Sequence, residues 1–286
     1  MINRITGKTR LIGLLGSPIR HSVSPMMHNT AFEHLGLDYV YLVFEVDHDN
    51  LDDAVKAMKT LDVAGFNVTM PNKQKVIPLL DEITESARII DAVNAVKNER
   101  GRLIGDNTDG KGFVMSLTDE GVAVKDKDFV IIGAGSAARS IGIQLALDGA
   151  RSISIFNRSK EPASYLKEVI EKNIPSCDVQ AYSLEMSLLK EVVHKADVLI
   201  NATNVGMGQH QDKSVITEAS VFHRDLVVAD VIYSPPFTKT LQMADAAGCK
   251  TINGLGMIIG QGALAFKFWT GEDMPADLVK EVILNQ

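Results

Sequence analysis

Cysteine is scarce: Cys177 and Cys249 are the only two in 286 residues, too few for the disulfide framework of a small secreted domain. Both read as small buried hydrophobes. Positive charge is in deficit as well. Lysine and arginine total 29 against 36 aspartates and glutamates, a formal net charge of -7, which excludes the basic surface that nucleic acid requires. The sequence has no stretch of about 18 uncharged residues with which to span a bilayer. Its opening segment, MINRITGKTR, lacks the apolar core of a secretory signal. His21, His28 and His34 have no metal-ligand spacing and no cysteine or carboxylate companions arranged as a zinc site. Together these absences predict a cytoplasmic globular protein without metal, membrane or nucleic-acid partners.

What is present is alternation of strands and helices in a chain long enough for about two domains. From Phe129 onward the aliphatic runs FVIIGAG, SISIFN, VQAY, DVLINAT, LVVADVI and KTING are separated by amphipathic stretches, Ser136 to Leu147, Ala163 to Glu171, Leu184 to His194 and Thr238 to Ala247. Such continuously apolar strands are covered on both faces, which predicts a doubly wound parallel sheet. The N-terminal part is a second α/β unit. LIGLLG, YVYLVFEV and VAGFNVTM read as strands, the last ended by Pro71, and AVNAVKN followed by RLIG reads as a hairpin. Leu51, Ala54, Val55 and Met58 have the spacing of an amphipathic helix. A break at Asn107 to Gly110 gives residues 1–110 as one domain and 111–257 as the other, with a helix from Lys111 to Leu117 leading in. The helices Leu255 to Trp269 and Pro275 to Leu284 serve no further strand, so residues 258–286 are expected to complete the first domain. The fold class is two-domain α/β.

Several residues could carry chemistry. Gly133, Gly135 and Ala138 form a GxGxxA between a strand and a helix, the context in which glycine allows a tight turn and lets backbone approach a pyrophosphate at a helix N-terminus. The alternative is a glycine turn without ligand. The next strand ends in Asn157, Arg158, Ser159 and Lys160, where an NAD enzyme often places an acid on the ribose. A basic tip suits a 2′-phosphate and favours NADP, or else it is a solvated turn. Lys73 would open a helix running to Leu80, where the dipole opposes a cation and poises it as an acid or base; an ordinary surface lysine is the other reading. Asp109 is either a helix N-cap or a carboxylate that holds such a lysine. Asn72 and Ser24 read most simply as helix caps, the latter with Pro25 in the first turn. Asn67 and Asn94 sit inside aliphatic strands and Gln261 on an apolar helix, so their amides must find polar partners or face a polar pocket.

The segments GSPIRHSVSPMMHN, FNVTMPNK, AVNAV, GDNTDG, VIIGAGSAARS, FNRS, NATNVGM, DVIYSPPFT and NGLGMIIGQGA resemble shikimate dehydrogenases in order and spacing over essentially the whole chain. The resemblance implies an N-terminal substrate domain, a Rossmann-type NAD(P)-binding domain, and reversible reduction of 3-dehydroshikimate to shikimate in aromatic amino-acid biosynthesis. It implies that Ser22 and Ser24 bind the substrate carboxylate. Thr69, Lys73, Asn94, Asp109 and Gln261 would meet the ring hydroxyls, Tyr233 would lie near substrate, and Lys73 with Asp109 would form the catalytic pair. The dinucleotide would be held by Gly133, Ala134, Gly135, Ser136, Ala137, Asn157, Arg158, Ser159, Lys160, Thr203, Asn204, Val231, Tyr233 and Gly254. MPNK in place of PFK or PHK, and an NRS loop without a second arginine, resemble the quinate/shikimate branch. NADP is therefore favoured with NAD as the alternative, the partners are small molecules, and a homodimer is the candidate assembly. A catalytically silent dinucleotide sensor is the reading from a different class; the presence of both Lys73 and Asp109 speaks against it.

Overall fold

A computed structural model of the protein describes residues 5–285; the first four residues of MINRITGKTR, the segment without the apolar core of a secretory signal, lie outside the described residues. The chain divides into two compact units, one running to Thr108 and resumed from Ile259, the other from Asp109 to Ile258.

Unit 1 is built on a six-stranded mixed sheet. Its strands are β1 (Arg10–Gly16), β2 (Tyr39–Glu45), β3 (Gly65–Val68), β4 (Glu82–Ile83), β5 (Ala95–Glu99) and β6 (Arg102–Asp106), ordered β2-β1-β3-β5-β6-β4. β1 pairs in parallel with β2 and β3, and the expected hairpin is the antiparallel β5–β6 pair. Arg100 and Gly101 both take positive φ in its tight turn. One face is covered by α2 (Leu51–Thr60), whose buried Leu51, Val55 and Met58 join Leu15, Phe66, Val68 and Val96 in one apolar cluster. β4 and the short α3 (Glu85–Ile90) have no counterpart in the sequence reading: two residues are too few to show alternation, and α3 is marked mainly by the Thr84 side chain accepting from the Ala87 amide.

On the other face lie α1 (Ser24–Leu35) and the unit 1 portion of α9 (Leu255–Thr270), with α10 (Ala276–Leu284) packed on α1. Trp269, the chain's single tryptophan, donates from Nε1 to the Val96 carbonyl at 3.0 Å. β2 is an edge strand, and unpaired edges invite foreign strands. Here Asn29 of α1 blunts that edge: its Nδ2 donates to the Tyr41 carbonyl at 3.0 Å and its Oδ1 accepts the Tyr41 amide at 2.8 Å.

Unit 2 is an all-parallel six-stranded sheet of β7 (Asp128–Ile132), β8 (Ser152–Asn157), β9 (Asp178–Ser183), β10 (Val198–Asn201), β11 (Val227–Asp230) and β12 (Lys250–Ile252), ordered β12-β11-β10-β7-β8-β9. This is the expected doubly wound order, with the strand sequence reversing at β7 and β10. Its helices are α4 (Asp109–Asp119), α5 (Ser136–Leu147), α6 (Lys160–Asn173), α7 (Met186–Val193) and α8 (Lys239–Ala246). Among the described residues no helix is long and apolar enough to cross a membrane.

His28 has no solvent exposure and sits in the aromatic layer of unit 1, stacked on Tyr41 at 4.6 Å and edge-on to Trp269 at 5.2 Å. Neither ring nitrogen has a partner, and burial pushes its pKa down to about 3. The unfolded chain therefore holds the extra proton. Stability from the neutral ring is complete above the unfolded value near 6.5 and falls as pH drops toward 3. We expect His28→Phe to flatten the acid side of the stability curve by up to about 1.4 kcal/mol per pH unit between pH 6 and 4, read from urea unfolding followed by Trp269 fluorescence. An unchanged slope would contradict a neutral buried imidazole.

Candidate functional site

The polar residues of unit 1 that the sequence places inside aliphatic strands form a continuous ladder. Asn67, in β3, accepts at Oδ1 from the Tyr41 hydroxyl at 2.7 Å and donates from Nδ2 to the Asn94 carbonyl at 2.8 Å. Asn94, just before β5, donates from Nδ2 to Thr108 Oγ1 at 3.0 Å and accepts the Thr108 amide at 2.8 Å. Asn107 extends the line by donating to the Ala92 carbonyl at 3.0 Å. All four of these asparagine and threonine side chains are buried. A buried amide without partners costs about 1–3 kcal/mol, so each rung holds the next in place.

The other unit 1 candidates lie around this ladder. Ser22 lies in the turn between β1 and α1 and Ser24 is the first residue of α1; Ser22 Oγ accepts the Ser24 amide at 3.2 Å. Thr69 follows β3, its amide bonded to the Leu15 carbonyl at 2.9 Å. Lys73 is half-buried, and its carbonyl accepts the Val93 amide at 2.8 Å, beside Asn94 in the chain. Gln261 lies half-buried on α9.

Three local expectations are corrected. No α-helix runs from Lys73 to Leu80: the segment is a series of turns ending in a 3-10 turn at Ile77–Leu79. Pro78 removes a backbone donor and cannot continue an α-helix begun five residues earlier, so the dipole that was to act on Lys73 is absent. Ser24 is not a capping side chain; Val23 holds the cap position of α1 and no side chain bonds the first turn. Asn72 caps nothing either. Fully buried, it donates from Nδ2 to the Val46 carbonyl at 2.8 Å and leaves Oδ1 without a partner. For Asn72 a tertiary contact outweighs a local preference.

In unit 2, Asp109 is buried in the first turn of α4. Gly133 has φ 115°, and a Cβ there would lie 2.8 Å from the Ala202 carbonyl oxygen, so glycine is required for the turn. A Cβ at Gly135 would meet no protein atom. It would fill the space in front of α5, whose N-terminus has no side-chain cap; this is where a pyrophosphate docks on such a helix. Ala134, Ser136 and Ala137 complete that loop, and Ala138 is fully buried against the sheet. At the end of β8, Asn157 shapes the turn by donating to the Ser159 carbonyl at 2.9 Å. Arg158, Ser159 and Lys160 are exposed at the uncapped start of α6.

The tips of β10 and β11 are joined by a buried carboxylate that the sequence reading missed. Asp230 accepts from Thr238 Oγ1 at 2.8 Å, Asn201 Nδ2 at 3.1 Å and the Ile232 amide at 3.0 Å. Burial raises its pKa, opposed by these three bonds. Asn201 in turn accepts from Thr203 Oγ1 at 2.7 Å, and the Val231 amide bonds the Asn201 carbonyl at 3.1 Å. Thr203, Val231 and the half-buried Tyr233 thus hang from one hub, while Asn204 is exposed beside them. Burial raises the Tyr233 pKa. Gly254 is held by its amide to the Ile232 carbonyl at 2.9 Å, and a Cβ there would lie 2.2 Å from the Val231 carbonyl oxygen. The signal for Asp230 was available: an acid ending an aliphatic strand raises the same question as Asn67. Among the described residues no cluster of histidine, cysteine or carboxylate side chains could hold a metal ion.

Residues 14–96 match the family described as "Shikimate dehydrogenase substrate binding domain", residues 116–231 "Shikimate / quinate 5-dehydrogenase", and residues 254–284 "Shikimate 5'-dehydrogenase C-terminal domain". The chain is 62% identical over 283 residues to the shikimate dehydrogenase (NADP(+)) of Alkaliphilus metalliredigens, covering 99% of both chains. Its identity to the shikimate dehydrogenase (NADP(+)) of Alkaliphilus oremlandii is 51% over 282 residues, again 99% of both. Among solved structures, shikimate 5-dehydrogenase from Listeria monocytogenes in complex with shikimate and NAD superposes with a TM-score of 0.96 at 42% identity, over 99% of each chain. With the doubly wound unit, the glycine turn and the polar ladder already in place, these matches settle the lineage: the chain belongs to the shikimate dehydrogenase family.

Proposed function

We propose that the chain is an NADP-dependent oxidoreductase that interconverts shikimate and 3-dehydroshikimate. The observation that carries this reading is 62% identity, over 99% of both chains, to a relative named for that activity with NADP(+). The chemistry of unit 1 agrees with it, since a ring bearing several hydroxyls needs fixed amide and hydroxyl partners such as the Asn67, Asn94 and Thr108 ladder supplies. In this reading residues 1–110 with 258–286 bind substrate and residues 111–257 bind the dinucleotide. The substrate is a small molecule, and the cytoplasm, where its reduced cofactor is made, is the working compartment.

Ser22 and Ser24 receive the substrate carboxylate. Thr69, Asn94, Gln261 and Tyr233 orient the ring, and Lys73 and Asp109 are the proton-transfer pair. When bound, NADPH would supply the hydride that the carbonyl carbon takes in the reducing direction. The carbonyl oxygen then needs a proton, and the Lys73 ammonium gives it; in the oxidising direction neutral Lys73 takes the hydroxyl proton. Preorganised partners on the ring convert this into a step between groups already oriented.

For the cofactor, Gly133, Ala134, Gly135, Ser136 and Ala137 take the pyrophosphate at the start of α5. Thr203, Asn204, Val231, Tyr233 and Gly254 also hold the dinucleotide. Asn157, Arg158, Ser159 and Lys160 take the adenosine end. Two cations flanking a hydroxyl at the uncapped start of α6 suit a dianionic 2′-phosphate, and this supports NADP over NAD. The second reading, quinate oxidation with NAD, is favoured by two departures, MPNK in place of PFK or PHK and the single arginine of the NRS loop. Initial rates with shikimate or quinate, each with NADP or NAD, separate the two, and no activity with either substrate would restore the silent-sensor reading.

Lys73→Ala is expected to lower kcat by roughly 10²–10⁴-fold, the usual contribution of a general acid, with a much smaller change in shikimate KM; steady-state kinetics at saturating NADP measures both. Arg158→Ala is expected to raise the NADP KM by about 10- to 100-fold, as loss of a charge-assisted hydrogen bond does, while the NAD KM changes by less than about threefold. Equal effects on the two cofactors would remove Arg158 from the 2′-phosphate.

A further inference from the structure

β10 and β11 end at the same level, with Asn201 beside Asp230 in the parallel register. Both side chains are buried, as is that of Thr238, which caps α8. The two side chains that meet the Asp230 carboxylate are fixed as donors by what they do elsewhere. Asn201 uses its oxygen to accept the Thr203 amide at 3.2 Å and the Thr203 hydroxyl at 2.7 Å, which turns its nitrogen to Asp230 Oδ2 at 3.1 Å. Thr238 uses its oxygen to accept the Leu241 amide at 3.3 Å and gives its hydrogen to the same Oδ2 at 2.8 Å. The Ile232 amide, a donor by nature, takes Oδ1 at 3.0 Å. Three donors thus converge on one side chain, and a carboxylate, which only accepts, completes them. An asparagine here would set its own donor against Asn201 and Thr238 or, turned over, against the Ile232 amide.

What these bonds tie together is loop at the carboxyl ends of the strands. Val231 stands between Asp230 and the amide that the Asp230 side chain holds, so the clasp sets the direction of the Val231 backbone. The Ile232 carbonyl then takes the Gly254 amide at 2.9 Å, and Thr203 hangs on Asn201. A doubly wound sheet receives a dinucleotide across the point where the strand order reverses, with one mononucleotide over each half. In unit 2 that point lies between β7 and β10. With the 2′-phosphate at the β8 tip, the adenosine half lies over β7 and β8, and the nicotinamide half falls to the tips of β10 and β11. An apolar side chain could end β11 without the cost of burying a charge that has no cation beside it among the described residues. Packing alone therefore does not explain a carboxylate at this point.

We propose that Asp230 is a positioning residue for the nicotinamide half of the dinucleotide, its carboxylate locking the loops after β10 and β11 and the start of α8 into one seat before the cofactor arrives. This rests on the reading that residues 111–257 bind NADP. The lock acts on one half only, because its three bonds go to Asn201, Ile232 and Thr238 and none to the glycine turn or the β8 tip.

The test is calorimetric titration of the full chain with NADP and with adenosine 2′,5′-bisphosphate, which carries the 2′-phosphate but no nicotinamide. Asp230→Asn is expected to raise the Kd of NADP by about tenfold, the scale of one lost hydrogen bond, and to leave the Kd of the bisphosphate within about twofold. Thr238→Val removes one of the three donors and leaves the carboxylate in place; it should weaken NADP and spare the bisphosphate in the same way, and it carries the test if Asp230→Asn does not fold. An unchanged NADP Kd, with or without a loss of thermal stability, would make Asp230 a structural staple and overturn the proposal. An equal rise for both ligands would mean a general loosening of unit 2 and would overturn it as well. Wild-type protein that binds neither ligand would overturn the dinucleotide reading and this inference with it, whereas a wild type that binds both, with variants that shift both or neither, would overturn this inference alone.

Discussion

An amide placed in an aliphatic sheet has to be hydrogen-bonded, and in unit 1 that requirement organises most of what surrounds it. Asn94 sits at the start of β5 with both ends of its side chain on Thr108, at 3.0 and 2.8 Å. Its carbonyl accepts both the Val68 amide at 2.9 Å and Asn67 Nδ2 at 2.8 Å. One residue thereby fixes the exit of β3, the entry to β5 and Thr108, the last residue of the unit's first segment. Thr69 and Lys73 follow directly from that β3 exit, so their positions are inherited from the ladder. In a low-dielectric interior such a network is stable when complete and costly when one member is lost.

Unit 2 solves the same problem with a charge. Among the described residues Asp230 has three donors and no cation, so its carboxylate is held by dipoles. What it gathers are the loops after β10 and β11, through Asn201, Thr238 and the Ile232 amide. A doubly wound sheet presents its ligand at the carboxyl ends of its strands, and those ends are loops that need a common anchor. Against a net charge of -7, the proposed binding of anionic ligands calls on local devices: the uncapped helix starts at α5 and α6, the Arg158 to Lys160 turn, and Lys73.

Much of this is legible in the sequence because it follows from periodicity. The six aliphatic runs from Phe129 onward are the six strands of unit 2, and the glycine turn lies between β7 and α5 as its spacing requires. The reading of Asn67 and Asn94 as amides in need of partners is also physical and needs no alignment. What was hidden depends on contacts between distant segments. Nothing near Tyr41 in sequence shows that its hydroxyl reaches a strand 26 residues away, or that Asn29 closes the β2 edge. The helix expected from Lys73 to Leu80 fails for a local reason in view at position 78, where proline outweighs the apolar spacing. Ser24 and Asn72 look like caps because serine and asparagine usually are, and Asn72 is diverted by a tertiary partner.

The central claim is that the ladder stands ready before substrate arrives. A crystal structure of the complex with shikimate tests it most directly. The account predicts that the Asn67–Asn94 and Asn94–Thr108 bonds persist in the complex and that ligand atoms bond only to what those bonds leave open. It would be contradicted if shikimate replaced either bond and the two amides turned to meet it.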